Sequence, residues 1–346
     1  MTCKTVATIG FFDGVHLGHR YLIGEVAKAA RAEGRQSVAV TFDRHPREVL
    51  QSDYQPQLLT TTAQKARLLR EAGADRVEVL HFTRELAAMS AREFMLTVLK
   101  ERLGVAKLFI GYDHRFGHNR TEGFADYVAY GREMGIEVVQ NPELPSCLTA
   151  KKGVSALVAE KEPSGLAAVN GGEPSGLAAV GHVSSTAVRR LLSAGDVEGA
   201  ARLLGRRHTL LGHVAHGFAE GRKMGFPTAN LDTTGYRLLV PAPGVYVAAV
   251  KTLADDAQLD ATVGGDCPCD GWHRAMLNIG TRPTFGGTTT TIEAHLLDFH
   301  GDLYGRPMAV ALFSRVRDER RFDSVEALEA QLHNDREAVR NFFCNS

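Results

Sequence analysis

GFFDGVHLGHR, residues 10–20, lies between TVATIG (5–10), which reads as a strand, and GHRYLIGEVAKAARAEG (18–34), which reads as a helix. It sets His16 and His19 three residues apart, with Gly18 between them, where the helix begins. A helix mouth carries unpaired backbone N–H groups and the positive end of the helix dipole. Gly18 has no side chain, so an anion can approach the backbone closely. Two imidazoles beside that mouth suit a triphosphate, where charge developing on a phosphorus under attack would be stabilised. The plainer alternative is one histidine that caps the helix and one that packs.

Working outward, the first 140 residues alternate. After TVATIG, the strand candidates are SVAVTF (37–42), RVEVLHF (76–82), KLFIG (107–111) and IEVVQ (136–140), short and rich in Val and Ile as buried parallel strands are. TTAQKARLLREAG (61–73) and SAREFMLTVLKERLG (90–104) read as helices between them, the second opening on the capping-box pair Ser90 and Glu93. Strand and helix in alternation predict right-handed crossovers and a doubly wound parallel sheet. Ligands of such sheets sit at the carboxyl ends of the strands, which is where GFFDGVHLGH falls.

The whole chain has 346 residues, enough for two domains, with 40 Lys plus Arg against 40 Asp plus Glu. A net charge of zero argues against a protein built to grip long nucleic acids, but not against small phosphorylated ligands. No apolar run is long enough for a membrane span, and no signal peptide opens the sequence. Five cysteines without framework spacing fit a reducing cytoplasm.

The texture changes after residue 148. EPSGLAAV occurs at 162–169 and again at 173–180, joined by NGG, and is expected to form a flexible insertion near 156–181. VSSTAVRRLLSAGDVEGAARLLGRR (183–207) reads as two short helices, the second capped by Asp196. Residues 208–315 carry short strands with Gly and Pro turns, the pattern of an antiparallel barrel or sandwich. A last helix over about 323–343 lines up Leu328, Leu332, Val339 and Phe343 as an apolar stripe.

A second anion constellation stands at 183–190. Ser184, Ser185 and Thr186 open a helix and Arg189 follows one turn on, so hydroxyls, free N–H groups and a guanidinium fork converge. H-x-G-H after the first strand, with S-S-T-x-x-R later, resembles the nucleotidylyltransferase superfamily. TFDRHPREVL (41–50) and GYDHRFGHNR (111–120) sharpen this, as do GHVAHGFAEGRKMGFPTANLD (212–232), PAPGVYVAAV (241–250), LNIGTRPTFGG (277–287) and IEAHLLDFHGDLYGRPMAVAL (292–312). Along almost the whole chain, and in the same domain order, the sequence resembles the prokaryotic bifunctional riboflavin kinase/FAD synthetases.

The resemblance implies an α/β, Rossmann-like nucleotidylyltransferase domain over 1–190, a linker helix over 191–206, and an antiparallel β-barrel kinase domain with a terminal helix over 207–346. It implies that the barrel phosphorylates riboflavin with Mg·ATP to give FMN. The first domain would then join AMP to the FMN phosphate, giving FAD and pyrophosphate. His16, His19, Gly10, Phe11, Gly18, Ser184, Ser185, Thr186 and Arg189 would hold the ATP phosphates, with His45 and Asp113 near the flavin and nucleotide. Riboflavin, FMN, FAD and ATP are the expected partners, with Mg²⁺ as the metal and with no nucleic acid or membrane.

In the barrel half, Thr228 and Asn230 of GFPTANL face the same way if extended, and offer hard oxygen ligands for Mg²⁺. Pro227 fixes the backbone there, and Gly221 and Gly225 leave room for phosphate. Glu293 would take the proton from the acceptor hydroxyl as the phosphoryl group moves. Cys267, Cys269 and His273 lie close in sequence but lack the spacing of a structural zinc site. Two positions depart from the family pattern: Phe11 stands where asparagine is common, and His114 where phenylalanine is. Against full bifunctionality stand two alternatives, a kinase whose first domain is impaired and a flavin-binding regulator without chemistry.

Overall fold

A computed structural model describes residues 4–51, 53–111, 114–118, 121–141, 144, 183–216, 225–265, 271–284 and 287–344, leaving aside the side chains of 282–289. Asp113, Gly221, Cys267, Cys269 and the duplicated EPSGLAAV segment lie outside the described residues. The chain divides into two compact units, Met1–Pro56 with Thr62–Lys152, and Gln57–Thr61 with Gly153–Ser346. Among the described residues, no helix is long and apolar enough to cross a membrane.

The first unit is built on a five-stranded parallel sheet in the order β3-β2-β1-β4-β5. Its strands are β1 (Thr5–Ile9), β2 (Gln36–Phe42), β3 (Arg76–Leu80), β4 (Val105–Ile110) and β5 (Glu137–Gln140). β1 lies in the middle, which is why all five residues of TVATI are buried and why β-branched residues suit it. Val38, Val40, Leu108 and Ile110 from its neighbours share a core with Met95 and Leu99. The helices between strands are α1 (Leu17–Ala32), the short α2 (Pro46–Leu50), α3 (Thr62–Glu71), α4 (Arg84–Ala88), α5 (Ala91–Phe94) and α6 (Phe124–Met134). The Ser90–Glu93 capping box forms as the sequence predicts. Beyond it the helix does not run on as α: Met95–Arg102 winds as a π-helix, and Leu103 N–H reaches back five residues to the Val98 carbonyl.

In the second unit, α7 (Ser185–Ser193) and α8 (Val197–Leu204) precede a closed antiparallel barrel. Its strands are β6 (Thr209–Ala215), β7 (Ala229–Asp232), β8 (Gly244–Thr252), β9 (His273–Thr284), β10 (Gly287–Leu296) and β11 (Pro307–Arg317), in the order β10-β7-β6-β11-β8-β9. A short helix, α9 (Asp256–Ala261), follows β8. Asp196 caps α8 as expected, its carboxylate accepting from Gly199 N–H at 2.7 Å. Alternation fills the barrel from one face: Leu277, Ile279, Ile292 and Ala294 join Leu210, Tyr246, Val250 and Leu312 in one core, together with Val188 and Leu192 of α7. The other face of β8, β9 and β11 packs Val245, Val247, Met276 and Phe313 against Val339 and Phe343 of the terminal helix α10 (Val325–Cys344). The stripe foreseen on that helix also carries a charge. Asp335 is 1% exposed and takes a forked pair from Arg317 of β11, with Nε at 2.9 Å and Nη2 at 2.7 Å from Oδ2.

Candidate functional site

At the carboxyl edge of the first unit's sheet, β1 runs into a strained turn. Phe12 has φ 53°, Gly14 φ 80° and Val15 φ 38°, and the two non-glycine residues cost on the order of 1–3 kcal/mol each in that region. Packing holds them there, since Phe12 is 4% exposed and Val15 fully buried. Gly10 permits the turn by close approach: a Cβ on it would stand 2.8 Å from the Phe12 ring. The turn delivers the chain to α1 with His16 as the N-cap.

His16 and His19 come together. Their rings stack with centroids 3.6 Å apart and planes 19° from parallel, and Phe12 meets His19 edge-on at 5.2 Å. His19 N–H donates to His16 Nδ1 at 3.4 Å. That bond occupies one of the helix N–H groups the sequence left open for an anion, and it puts the His16 ring proton on Nε2. His19 Nδ1 is buried with no hydrogen-bond partner among the described residues. Burial first, then the charges of His16, His114 and Lys65, hold His19 well below the ordinary histidine pKa, so it is neutral at pH 7. Both plain roles, capping and packing, are therefore filled by these histidines, and a buried ring nitrogen is still left without a partner.

Phe11 does not meet the expectation of a phosphate contact through its side chain, because its ring offers no donor. The ring lies edge-on to His45 at 4.8 Å and beneath the Lys65 ammonium at 4.1 Å, while its carbonyl accepts from Thr41 Oγ1 at 3.1 Å. His45 caps the five-residue α2, Nδ1 accepting from Arg47 N–H at 3.1 Å. Lys65 is the residue the sequence reading missed. It is 3% exposed and donates to the Phe42 carbonyl at 2.7 Å, at the end of β2. Burial pushes its pKa down to about 8, against the pull of Asp13 and Asp43. The signal was available: in TAQKARLLRE the buried positions are Gln64, Lys65, Leu68 and Leu69, so a lysine occupies a core position.

The hydroxyl–arginine motif belongs to the second unit. Ser184 is the N-cap of α7, its Oγ accepting from Ala187 N–H at 3.2 Å, and Arg189 Nε donates to the Gln57 carbonyl at 2.9 Å. The Ser184 hydroxyl and this guanidinium nitrogen thus have partners within their own unit.

On the barrel, Thr228 directly precedes β7 and Asn230 lies within it. Both are half-buried and alternate with buried Ala229 and Leu231, as a shared face requires. Glu293 on β10 stands opposite Asn230 of β7 on one side and Asn278 of β9 on the other. Directly opposed residues of antiparallel strands face the same way, so the three form one polar row on the face away from the barrel core. Asn278 went unrecognised, because only the register reveals it. Pro227 is fixed through its carbonyl, which accepts from His295 Nδ1–H at 2.9 Å. Gly225, with φ 76° and open space around it, keeps the approach clear.

Comparison with known proteins agrees with this division. The FAD synthetase family model matches residues 1–155, and the riboflavin kinase family model matches residues 204–343. A bifunctional riboflavin kinase/FMN adenylyltransferase of Escherichia coli K12 is 34% identical over 98% of this chain and 92% of its own. The protein of that description from Pseudomonas fluorescens is 35% identical over 97% and 92%. A crystal structure described as a macrolide-efflux protein from Streptococcus pneumoniae matches in fold with a TM-score of 0.76 at 29% identity, covering 99% of this chain and 95% of that one.

Proposed function

The chain belongs to the bifunctional riboflavin kinase/FMN adenylyltransferase family, and from that premise we propose how its own residues divide the two reactions. The enzyme phosphorylates riboflavin to FMN and adenylylates FMN to FAD.

Adenylyl transfer is assigned to the turn and helix mouth of the first unit. An oxygen of the FMN phosphate attacks the α-phosphorus of ATP. The new P–O bond forms as the bond to the β-phosphate oxygen breaks, and pyrophosphate leaves with that electron pair. No protein nucleophile is needed. His16 and His19 serve as donors to the phosphate oxygens, and a preorganised donor of this kind is worth about a hundredfold or more in rate. The observation that supports the reading is the stacked pair at the start of α1, with a buried ring nitrogen of His19 left unpaired. For Ser184, Ser185, Thr186 and Arg189 the same role rests on the sequence motif.

Phosphorylation of riboflavin is assigned to the outer face of the barrel. Glu293 takes the proton of the attacking hydroxyl, and its register partners Asn230 and Asn278 orient it. The Thr228 hydroxyl and the Asn230 amide carbonyl suit Mg²⁺, with phosphates and water completing the shell. When bound, the ion neutralises charge on the ATP phosphates.

Purified protein incubated with riboflavin, ATP and Mg²⁺, with flavins separated over time, is expected to yield FMN first and FAD after it. Glu293→Gln is expected to stop FMN formation while FAD still forms from supplied FMN. His16→Ala with His19→Ala is expected to do the reverse. Unchanged FMN output in the first variant, or unchanged FAD output in the second, would show the assignment of that site to be wrong.

A further inference from the structure

Lys65 is the only buried lysine among the described residues, and the pull of Asp13 and Asp43 on it does not offset its burial. Its ammonium has three donors, of which one is used, on the Phe42 carbonyl. The Phe11 ring face adds a weak cation–π contact at 4.1 Å. Among the described residues, no carboxylate lies within ion-pair distance of it. Asp43, one of the two carboxylates that attract it through space, is committed elsewhere, with Oδ1 on Phe82 N–H at 2.9 Å and Oδ2 on His81. A buried charge without a partner is costly, and the chain has not replaced it with an apolar residue.

Its location says what would complete it. Phe42 ends β2 and Phe11 follows β1, so Lys65 stands at the carboxyl edge of the two strands where such sheets take their ligands. The charge of Lys65 is felt at His19, which leaves a buried nitrogen unpaired. Two unused ammonium protons and a vacant imidazole nitrogen together describe a site for a phosphoryl group. We propose that Lys65 is a catalytic residue of adenylyl transfer that binds a phosphate oxygen, supplied by the FMN phosphate or by ATP. This rests on the assignment of adenylyl transfer to His16 and His19. A lysine whose buried charge its carboxylate neighbours offset only in part is at full strength when phosphate displaces water from the site.

The test uses the full-length enzyme with Lys65→Met, Lys65→Arg and His19→Ala. FAD formation from FMN and ATP is measured with each substrate varied, FMN formation from riboflavin serves as the control for the second unit, and the thermal midpoint of the first unit as the control for its folding. Lys65→Met is expected to lower FAD formation about a hundredfold with FMN formation within twofold and the thermal midpoint not lowered. Lys65→Arg should recover part of the loss. A rise in KM for FMN alone assigns the flavin phosphate, and a rise for ATP alone assigns the nucleotide. A fall in kcat with both KM values unchanged assigns charge at the phosphorus in flight. FAD formation within threefold of the parent in Lys65→Met, while His19→Ala is disabled, would overturn the proposal alone. Full activity in both variants would overturn the site assignment with it. A lowered midpoint in Lys65→Met accompanying the lost activity would make Lys65 a structural donor to Phe42 and also overturn the proposal.

Discussion

Replacing Lys65 by methionine keeps the length of the side chain and removes its charge. In the unliganded enzyme that substitution is expected to stabilise the first unit. The Lys65 pKa falls from an ordinary 10.5 to about 8 in the folded protein, chiefly through burial. At 1.36 kcal/mol per pH unit, this corresponds to about 3 kcal/mol of destabilisation at pH 7. Against it, the Phe42 carbonyl loses its donor, a cost of about 1 kcal/mol. The net gain of about 2 kcal/mol corresponds to a rise of about 4–8 °C in the midpoint of a unit of this size.

The sign of the pH dependence separates this from a packing effect. Below the folded pKa, both states carry the proton and the full penalty is present. Between about 8 and 10.5 the unfolded chain holds more protons than the folded one, so stability of the parent rises with pH. The advantage of Lys65→Met should therefore be largest at neutral pH, shrink through that window, and reverse slightly above 10.5. Calorimetry of both full-length proteins across the range measures the difference, and amide exchange in β1 and β2 at neutral pH identifies the transition belonging to the first unit. A difference that does not change with pH, or a variant less stable at pH 7, would refute the reasoning.

Three further outcomes are expected. Gly10→Ala places a methyl 2.8 Å from the Phe12 ring and should displace the strained turn, lowering FAD formation at least tenfold while FMN formation is unchanged, as paired assays on one preparation would show. Asp335→Asn leaves Arg317 without its carboxylate in a buried setting and should destabilise the second unit by about 3–5 kcal/mol, read by urea unfolding. His114→Phe removes one of the charges that lower His19, so the His19 titration followed by NMR should move upward yet stay below 6.5, because burial remains the largest cause.

The central strands of the sheet were legible because they are short buried runs of the kind a parallel sheet covers on both faces, as in TVATI and QSVAVTF, whereas the edge strands β3 and β5 are only partly buried. The helix starts were legible because capping is local: Ser90 with Glu93, and Asp196 with Gly199, lie within four residues of each other. The π winding of Met95–Arg102 was not, since MLTVLKER carries an ordinary helical composition. At the candidate sites the divide is the same. His16 and His19 stack because they are three residues apart at a helix start. Asn278 faces Glu293 only because β9 pairs with β10 in one particular register, and nothing local to LNIG states that register.

Lys65 and Asp335 carry the same sequence signal, a charge at a core position of an amphipathic helix, and the structure gives it two different meanings. Asp335 lies within the stripe that runs through Leu328, Leu332, Val339 and Phe343, and Arg317 reaches it with a fork, while Gln331 donates to its other oxygen at 2.6 Å. Its hydrogen bonds are made by the fold, so it locks the terminal helix to β11, and nothing remains for a ligand to do. Lys65 lies beside Leu68 and Leu69 and meets one carbonyl and one ring face. Among the described residues, two of its protons stay without a partner at the carboxyl edge of the sheet, where adenylyl transfer is proposed. A buried charge that its own chain satisfies is architecture. One left unsatisfied among the described residues, with its charge felt at an unpaired imidazole nitrogen, is where the proposed substrate phosphate completes the structure.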